Sequence, residues 1–405
     1  MAERDAFDVV IVGAGIAGSA LAAALSGQGL SIGLVEARPL APPLLPESRE
    51  PADFDARVSA LTPKSQRFLD DIGAWQGIAG YRLCRYGHMT VWDADGTGSV
   101  EFDRSEMNAP ALGHIVENRA VVAALLQVID GAGDVTPLAP ATVEQCLRGD
   151  DDRMTLVLST GRNIDTDLVV AADGANSAVR RIMRFNTREW DYGHSGIVTT
   201  AEFARSHQDT AWQRFMGSGP LALLPLPGPQ DRHLCSIVWS MNQDRVEDIL
   251  ASDDEAFCEA LGRASEGVLG EVLAATPRIA FPLRQRHAVD YVQPGVALVG
   301  DAAHTIHPLA GQGINLGLAD VAALAGEIRR GKDRGVSPGD VGLLGRYQRQ
   351  RKGDNLLMMA AMDGFKRLFE QDALPVRWLR NAGMRGVGRL GPLKQQLMRH
   401  AMGLG

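Results

Sequence analysis

The chain has 405 residues, of which 45% are hydrophobic and 22% are charged, a composition typical of a globular protein with roughly two or three domains. Its formal net charge of -8 argues against general nucleic-acid binding. The four cysteines are widely spaced and form no C-x-x-C pair, which argues against a disulfide framework or a zinc site and predicts buried, reduced thiols in a cytoplasmic protein.

The first predicted element is a strand that ends in a glycine-rich turn. The β-branched run Val9–Val12 leads into the pattern G-x-G-x-x-G, formed by Gly13, Gly15 and Gly18, and Ser19–Leu25 continues as a helix. In such a turn the first glycine permits the tight bend and the second lets the backbone approach a pyrophosphate. The third lets the helix pack on the strand.

A second strand, Ser31–Val35, delivers Glu36 eighteen residues after Gly18. A carboxylate at this position can bind the two hydroxyls of an adenosine ribose, and a ribose with a 2'-phosphate would not be tolerated. The motif therefore predicts a bound dinucleotide. On its own it does not distinguish FAD from NAD.

The next part of the chain mixes loops, helices and strands. A loop over 41–51 precedes the segment Asp55–Leu61, and Thr62 followed by Pro63 predicts a helix that ends at Gly73. The further elements predicted before residue 165 are a hairpin over Met89–Phe102 that turns at Asp95-Gly96, a helix over Arg119–Asp130, and β structure over Val135–Cys146 and Arg153–Ser159.

Two more strands end in an acidic residue beside a glycine. The buried strand Thr166–Ala172 ends in Asp173-Gly174, and the strand Val296–Val299 runs into Gly300-Asp301 before a helix that begins near Gly313. A carboxylate at a strand end, followed by a glycine-rich turn into a helix, can hold a hydroxylated cofactor and present backbone N–H groups to an anion.

Between about residues 185 and 285 longer strands predominate. The elements predicted here are the strands Ser195–Phe203, Ala211–Met216, Pro220–Leu226 and His233–Ser240, with one helix over about Glu255–Ala274. A mostly antiparallel sheet inserted between parts of a nucleotide-binding fold would form the wall of a substrate site.

Taken together, these motifs resemble those of the single-component FAD-dependent aromatic hydroxylases related to p-hydroxybenzoate hydroxylase, the group A flavoprotein monooxygenases. Residues 304–317, with the sequence HTIHPLAGQGINLG, are similar to the ubiquinone-biosynthesis monooxygenases that hydroxylate polyprenylated phenols, as are Gly219–Leu226 and Cys235–Ser240. The resemblance covers roughly residues 6 to 370.

The resemblance implies an α/β fold with three parts. These are a Rossmann-like, glutathione reductase-type FAD-binding domain, an inserted and mostly antiparallel β substrate domain, and a helical C-terminus. The expected boundaries are 1–80, 103–182 and 283–345 for a discontinuous FAD-binding domain, 81–102 and 183–282 for the substrate-binding β domain, and 346–405 for the C-terminal helices.

The resemblance also implies roles for the motifs. The first motif would cradle the FAD pyrophosphate, Glu36 would bind the adenosine ribose, and Asp301 would hold the ribityl chain and the pyrophosphate region. Asp173-Gly174 would face the cofactor and the path of NADPH or NADH, which is expected to bind transiently. The implied cofactor-binding residues are Gly13, Ala14, Gly15, Ile16, Ala17, Gly18, Glu36, Ala37, Arg38, Arg57, Arg119, Asp173, Gly174, Gly300, Asp301, Pro308, Gly311, Gly313, Ile314 and Asn315.

Two of these residues have an alternative interpretation. Arg57 and Arg119 are family-like basic positions near the flavin, but each could instead be a solvated surface arginine.

In the chemistry that the resemblance implies, NAD(P)H reduces the flavin and O2 forms a flavin C4a-hydroperoxide, whose terminal oxygen passes to an electron-rich phenol carbon. Because the flavin carries the reaction, no catalytic side chain is assigned. The helix near Gly313 could direct its N–H groups at the pyrimidine ring of the flavin. The pocket candidates are Phe215, Leu223, Pro225, Trp239 and Pro308, with ordinary sheet packing as the alternative for the first four.

His304 and His307 lie three residues apart, but no third ligand and no H-E-x-x-H context accompany them. The sequence therefore predicts no metal here. The two histidines are expected to satisfy loop backbone groups or to line the mouth of the pocket.

The C-terminal segment has a distinct composition. Residues 365–405 carry eight basic residues and two acidic ones, together with many apolar residues and Trp378. A basic amphipathic helix pair could rest on an anionic membrane surface or on a partner such as a quinone-biosynthesis complex. The alternative is packing against the FAD domain, and the expected location is the cytoplasm or the inner face of the cytoplasmic membrane.

The leading hypothesis is an FAD-dependent monooxygenase that hydroxylates the ring of a polyprenylated phenol in ubiquinone biosynthesis, with NAD(P)H and O2 as cosubstrates. One alternative is a hydroxylase of a small soluble phenol. Another is a flavoprotein subunit of a quinone-synthesis complex that has no turnover of its own.

Overall fold

The computed structural model describes residues 5–94, 98–229, 232–305, 313–370 and 394–395. In these residues the strands, numbered in chain order, are β1 (Asp5–Val12), β2 (Ile32–Val35), β3 (Val58–Leu61), β4 (Leu83–Tyr86), β5 (His88–Asp93), β6 (Ser99–Asp103), β7 (Gly113–Glu117), β8 (Val135–Leu138), β9 (Val143–Arg148), β10 (Met154–Leu158), β11 (Asn163–Ala171), β12 (Thr187–Phe203), β13 (Thr210–Phe215), β14 (Leu221–Pro225), β15 (His233–Asn242), β16 (Val272–Ala275), β17 (Ile279–Ala288), β18 (Val292–Gln293), β19 (Val296–Leu298) and β20 (His304–Thr305).

The helices are named in the same way. In the described part of the chain they are α1 (Ile16–Leu25), α2 (Pro63–Asp71), α3 (Trp75–Ala79), α4 (Asn118–Ala132), α5 (Ala178–Ile182), α6 (Gln243–Ala251), α7 (Asp254–Ala264), α8 (Gly313–Lys332) and α9 (Val341–Glu370).

The first sheet is built around five parallel strands in the order β19-β11-β1-β2-β8. Val9, Val10 and Ile11 of β1 are fully buried, as expected for a parallel strand whose two faces are both covered. The small side chains of α1 let this helix pack against both α4 and α8. The predicted Rossmann-like α/β core is therefore confirmed.

The parallel arrangement brings the sequence motifs to one edge. Gly13, Glu36, Asp173 and Gly300 each follow the carboxyl end of a parallel strand, and these four strands are neighbours. Backbone hydrogen bonds keep the strand ends in register: Gly13 N donates to Val35 O at 2.8 Å, Ala172 N to Val12 O at 2.8 Å and Val299 N to Ala171 O at 3.0 Å.

The second sheet has the order β20-β17-β12-β15-β14-β13-β5-β6, with β16 added beside β12. Its pairs are antiparallel except for β13 and β5, which run in parallel. One face packs on α7. The opposite face packs on a three-stranded sheet, β3-β7-β4, at the FAD-binding side of the molecule.

Strand β17 crosses the domain boundary that the sequence predicts at 282/283. Both halves of β17 pair with β12, and β20 joins the same sheet after the Gly300-Asp301 turn. The second sheet thus draws on chain segments from both sides of that boundary, and the domain limits stay a prediction.

Two predicted elements end differently in the structure. The helix expected over Glu255–Ala274 stops at Ala264, because Gly267 and Gly270 adopt positive φ angles, and Val272–Ala275 pairs with β12 instead. The stretch Val135–Cys146 divides into β8, which is parallel to β2, and β9, which is antiparallel to β10. The predicted hairpin turn at Asp95-Gly96 lies outside the described residues.

Helix α9 connects the two sheets. Near its start Leu343, Leu344 and Tyr347 are fully buried in the core of the first sheet, and the Tyr347 hydroxyl donates to Leu298 O at 2.7 Å. Near its end the Phe369 ring stacks on the Phe215 ring of β13, with the ring centroids 4.3 Å apart.

Most of the basic C-terminal segment lies outside the described residues. Lys394 pairs with Glu106 at 2.5 Å and lies over the Phe102 ring, so this part of the segment contacts the β6 end of the second sheet. Among the described residues no helix combines the length and the apolar character that a membrane crossing requires.

The cysteines are free thiols. Cys84, Cys146 and Cys235 are buried, which confirms the predicted packing role, whereas Cys258 is only half-buried. Burial raises the pKa of Cys146 to about 12.

We predict that His114 makes folding stability depend on pH. His114 is buried in β7 with its ring at the edge of Trp75, and burial, aided by Arg85, lowers its pKa from 6.5 to about 4. The unfolded chain therefore binds a proton that the folded chain does not as the pH falls from about 6.5 to 4, and stability decreases across that window. Between pH 7.5 and 5.5 the His114 share of this loss is roughly 1 kcal/mol.

Urea unfolding of the wild type and of His114→Gln at both pH values measures this share. The loss in unfolding free energy on acidification should be smaller in the variant. Identical losses in the two proteins would show that His114 does not titrate in this way.

Candidate cofactor site

The glycines of the first motif have different structural tasks. A Cβ atom on Gly13, whose φ is +102°, would lie 2.5 Å from Ala172 O, and one on Gly18 would lie 1.8 Å from Gly13 O. These two positions accept only glycine because backbone already fills the space. At the exposed Gly15, in contrast, an added Cβ would meet no atom within 4 Å.

The open space at Gly15 adjoins the start of α1. Gly15 is the N-cap of this ten-residue helix, and no side chain caps it. The free N–H groups of a helix start attract anions, so the turn suits a pyrophosphate. Ile16 and Ala17 are half-buried against the core, and Ala14 is buried.

Glu36 reaches back to the same turn. Its carboxylate accepts a hydrogen bond from Ala14 N at 2.8 Å and from Arg38 N at 3.2 Å. The side chain is half-buried, and the neighbouring Ala37 and Arg38 are exposed. The structure therefore places the predicted ribose ligand next to the predicted pyrophosphate turn.

Asp301 lies one residue past the positive-φ glycine Gly300. Its side chain is reached by solvent, although many protein atoms lie close to it. This desolvation, together with the nearby Asp320, raises the pKa of Asp301 above its usual 3.8, while His304 and Arg57 act in the opposite direction. Arg57, which is exposed, thus lies near Asp301, so that two of the predicted cofactor residues come together.

Asp173 has a structural contact and a free oxygen. One carboxylate oxygen accepts from Ala178 N at 2.7 Å and from Val179 N at 3.2 Å, which caps α5. The other oxygen, Oδ1, is buried without a hydrogen-bond partner. Gly174 follows with a φ of +79°, which turns the chain at the strand end.

A cationic cavity of about 310 Å³ begins next to this motif. Its charged lining consists of Arg180, Arg181, Arg286 and Glu189. Arg286 pairs with Glu189 at 2.6 Å, so two of the three guanidinium groups are left without a carboxylate in the cavity lining.

Arg119 and Asn315 have protein partners in the structure. Arg119 pairs with the buried Glu117 at 2.6 Å, and Arg82 approaches the same carboxylate at 3.1 Å. Asn315 donates to Ala60 O at 2.8 Å and accepts from Thr62 N at 3.0 Å, which ties the start of α8 to the β3 end. Their predicted contact with the flavin stays a prediction.

The remaining cofactor candidates lie at the start of α8. Gly313 is the first residue of the helix, with open space where a Cβ would be, and Ile314 is half-buried against the core. Pro308 and Gly311, like His307, lie outside the described residues.

The pocket candidates lie on two different faces of the second sheet, because side chains alternate along a strand. Leu223 and Trp239 belong to the core cluster on the α7 side of the second sheet, and Pro225 shares the face of Leu223 because it lies two residues further along β14. For these three residues the structure supports the packing alternative. Phe215 shares its face with Ala211, which packs towards the FAD-binding side.

The expectation that His304 lines the mouth of the pocket was wrong. The ring is buried and its Nε2 lies 2.5 Å from the carboxylate of Asp320, so it lines no pocket mouth. Sequence reasoning also missed Asp320 itself. The available signal was an acidic residue within the apolar run of α8, because a carboxylate on a buried helix face requires a partner.

In the described part of the chain, one group of three potential metal ligands lies close together. Cys84, His207 and Asp209 have side-chain ligand atoms within 4.8 Å of one another. Both ring nitrogens of His207 already have partners, Leu226 O at 3.2 Å and Asp209 N at 3.1 Å. The set therefore has no free imidazole nitrogen to offer an ion.

Comparisons with known proteins agree with this geometry. The family described as "FAD binding domain" matches residues 6–352. The chain is 39% identical to ubiquinone hydroxylase UbiL of Rhodospirillum rubrum over 396 residues, covering 98% of this chain and 89% of that protein. It is 36% identical to 3-demethoxyubiquinol 3-hydroxylase of Escherichia coli over 405 residues, covering 98% of each.

The chain belongs to the FAD-dependent hydroxylases of ubiquinone biosynthesis. The human ubiquinone biosynthesis monooxygenase COQ6 is a more distant member of this family, 32% identical over 441 residues and covering 98% of this chain and 92% of that protein. The family assignment confirms FAD as the cofactor and the chain as an FAD-dependent monooxygenase. The open glycine turn and the accessible Asp301 carboxylate fit such a cofactor.

Solved structures show the same fold. PqsL, a probable FAD-dependent monooxygenase from Pseudomonas aeruginosa, superimposes with a TM-score of 0.76 at 23% identity, covering 94% of this chain and 100% of that chain. The p-nitrophenol 4-monooxygenase PnpA from Pseudomonas putida gives a TM-score of 0.77 at 17% identity, covering 98% and 99%.

Substitutions at two of the motif glycines should separate folding from cofactor binding. Gly15→Ala should leave the thermal stability of the apoprotein unchanged, because the added methyl enters open space, but it should weaken FAD binding at least about tenfold, or ~1.4 kcal/mol. Gly18→Ala should destabilise the apoprotein by roughly 1 to 3 kcal/mol, because its methyl overlaps a backbone oxygen.

Flavin fluorescence quenching measures the first effect and chemical unfolding the second. Unchanged FAD affinity in Gly15→Ala would contradict the assignment of this space to the pyrophosphate.

Proposed function

We propose that this chain hydroxylates the aromatic ring of a polyprenylated phenol in ubiquinone biosynthesis, with NAD(P)H as electron donor and O2 as oxidant. The observation that carries the proposal is the meeting of four cofactor motifs at one sheet edge. The substrate class follows from the relatives named above, which are ubiquinone-pathway hydroxylases over nearly the whole chain.

The overall reaction balances as one ring C–H, NAD(P)H, O2 and a proton giving one ring C–OH, NAD(P)+ and water. NAD(P)H supplies two electrons, one oxygen atom enters the ring and the other leaves as water. FAD, when bound, supplies the two-electron transfer and the oxygen activation. The protein has to bind and orient the reactants and exclude water.

The residues of this chain meet these needs in two places. The glycine turn, Glu36 and Asp301 are suited to bind the phosphates and hydroxyls of the cofactor. On the second sheet, Phe215 and Val91 form an apolar cluster with Phe369 of α9, which is the proposed substrate wall. An apolar wall suits a phenol ring with a polyprenyl chain and keeps water away from the reacting ring.

The cationic cavity beside Asp173-Gly174 is the proposed docking place of NAD(P)H. Arg180 is almost fully buried and donates to Ala302 O and Ala175 O, whereas Arg181 is exposed and donates to Ser177 O. Arg181 is thus the arginine whose charge can turn towards a pyrophosphate.

The function is tested by incubating the purified holoenzyme with NADPH or NADH, isotope-labelled O2 and an under-hydroxylated polyprenylphenol in detergent micelles. Mass spectrometry should detect a product that carries one labelled oxygen. Asp301→Ala is expected to lose bound FAD during purification and to form no product.

The alternatives give different results in the same assay. Rapid product formation from small soluble phenols, with none from the polyprenylphenol, would identify a soluble phenol hydroxylase. No product from any phenol, together with restored ubiquinone in a strain that keeps an active hydroxylase but lacks this chain, would identify a non-catalytic subunit. Either result would overturn the proposal.

The NAD(P)H site makes a separate prediction for Arg181→Ala. The KM for NAD(P)H should rise about tenfold, or ~1.4 kcal/mol, with kcat retained, because one phosphate contact is lost without change at the flavin. Arg188→Ala is the matched control, since Arg188 is an exposed arginine nearby in the chain that does not line the cavity. Equal KM values for the two variants would place NAD(P)H elsewhere.

A further inference from the structure

Asp320 is the centre of a buried hydrogen-bond network behind the Gly300-Asp301 turn. The residue lies on α8, and its side chain is fully buried. Its carboxylate has four partners: Gly300 N at 3.2 Å, His304 Nε2 at 2.5 Å, Arg351 Nε at 2.9 Å and Asn355 Nδ2 at 3.1 Å. Four donors on one carboxylate satisfy its hydrogen-bonding capacity and hold it in a single orientation.

Two of these partners flank Asp301. Gly300 precedes Asp301 in the chain and His304 follows three residues later, so one carboxylate holds both ends of the turn that presents Asp301. The turn also packs closely against its surroundings, because a Cβ on Gly300 would lie 3.2 Å from Ala17 of α1. The position of Asp301 relative to the glycine turn therefore depends on Asp320.

The other two partners come from α9. Arg351 is almost fully buried, and Asn355 is fully buried and also contacts the Tyr291 hydroxyl at 3.3 Å. Burial would raise the pKa of Asp320, but the contacts with His304 and Arg351 hold it below its usual value. The carboxylate is ionised in the folded protein, which makes its hydrogen bonds strong.

Asp320 could hold the Asp301 turn in position, or it could serve only to join α8 to α9. A second ion pair between the same two helices allows these two roles to be distinguished. Glu327 of α8 is also buried and pairs with Arg346 of α9 at 2.7 Å and with Arg330. This pair joins the same two helices, but within the described part of the chain none of its residues forms a hydrogen bond or an ion pair with the 300–305 turn. It therefore serves as an internal control.

We propose that Asp320 is a positioning residue for FAD, which acts through Gly300 and His304 to hold Asp301 against the cofactor. The inference rests on the proposed contact of Asp301 with FAD. It does not depend on which substrate is hydroxylated. A loss of FAD binding can therefore be distinguished from a failure to form product with bound FAD.

The test compares Asp320→Asn with Glu327→Gln in the full-length chain. FAD is removed from each protein, and its dissociation constant is measured by flavin fluorescence quenching, together with the unfolding midpoint of the apoprotein. Both variants should lower the midpoint. Asp320→Asn should weaken FAD binding at least tenfold, about 1.4 kcal/mol, whereas Glu327→Gln should stay within about twofold.

The visible circular dichroism of bound FAD gives a second measurement. At saturating FAD the spectrum of Asp320→Asn should differ from that of the wild type, because the flavin is held differently, and that of Glu327→Gln should not. General destabilisation would leave the spectrum of the folded, saturated protein unchanged. An FAD dissociation constant within twofold of the wild type in Asp320→Asn, or equal weakening in both variants, would overturn the proposal.

Removing one charge from a buried pair can prevent folding, so His304 provides a second pair of variants. His304→Gln retains a side-chain N–H that can donate to Asp320, and His304→Leu does not. His304→Leu should weaken FAD binding at least about tenfold relative to His304→Gln. Equal affinities in these two variants would overturn the proposal in the same way.

Discussion

The site depends on one geometric constraint, which is that parallel strands end at the same edge of a sheet. Four neighbouring strands, β19, β11, β1 and β2, each end in a glycine or an acidic residue that can meet a cofactor. No loop has to travel far to bring these groups together, because hydrogen bonds between the strands already fix their spacing.

The helices that follow the last of these strands hold the turn around Asp301 in place. Asp320 on α8 binds the turn around Asp301 from behind, and Arg351 and Asn355 on α9 complete its partners. The same helix α9 ends with Phe369 stacked on Phe215 of the second sheet. One helix thus contacts both the support of the Asp301 turn and the Phe215 ring of the second sheet.

In the second sheet, alternate residues of one strand point to opposite faces and pack against different parts of the molecule. On β13 and β14 the residues of one face, such as Leu223, fill the core against α7, and those of the other face, such as Phe215, point to the cofactor side. Strand β14 is apolar on both faces because both are covered. For that reason composition could not show which apolar residues line a pocket, and the pairing of the strands was needed to separate Phe215 from Trp239.

The sequence by itself determined a bound dinucleotide, the α/β fold and the order of the motifs, because glycine turns and strand-end carboxylates are local patterns along the chain. The choice of FAD over NAD came from the resemblance of the combined motifs to the group A flavoprotein monooxygenases. Only the tertiary structure decided which partners those residues have. It paired Arg119 with Glu117 and Asn315 with the β3 end, and it buried His304 against Asp320, since each of these contacts joins distant segments. It also ended the helix at Ala264, where glycines with positive φ and an open edge of β12 favoured a strand over the helical pattern. Short motifs can be recognised from the sequence, whereas contacts between distant residues depend on which surfaces the folded sheets bring together.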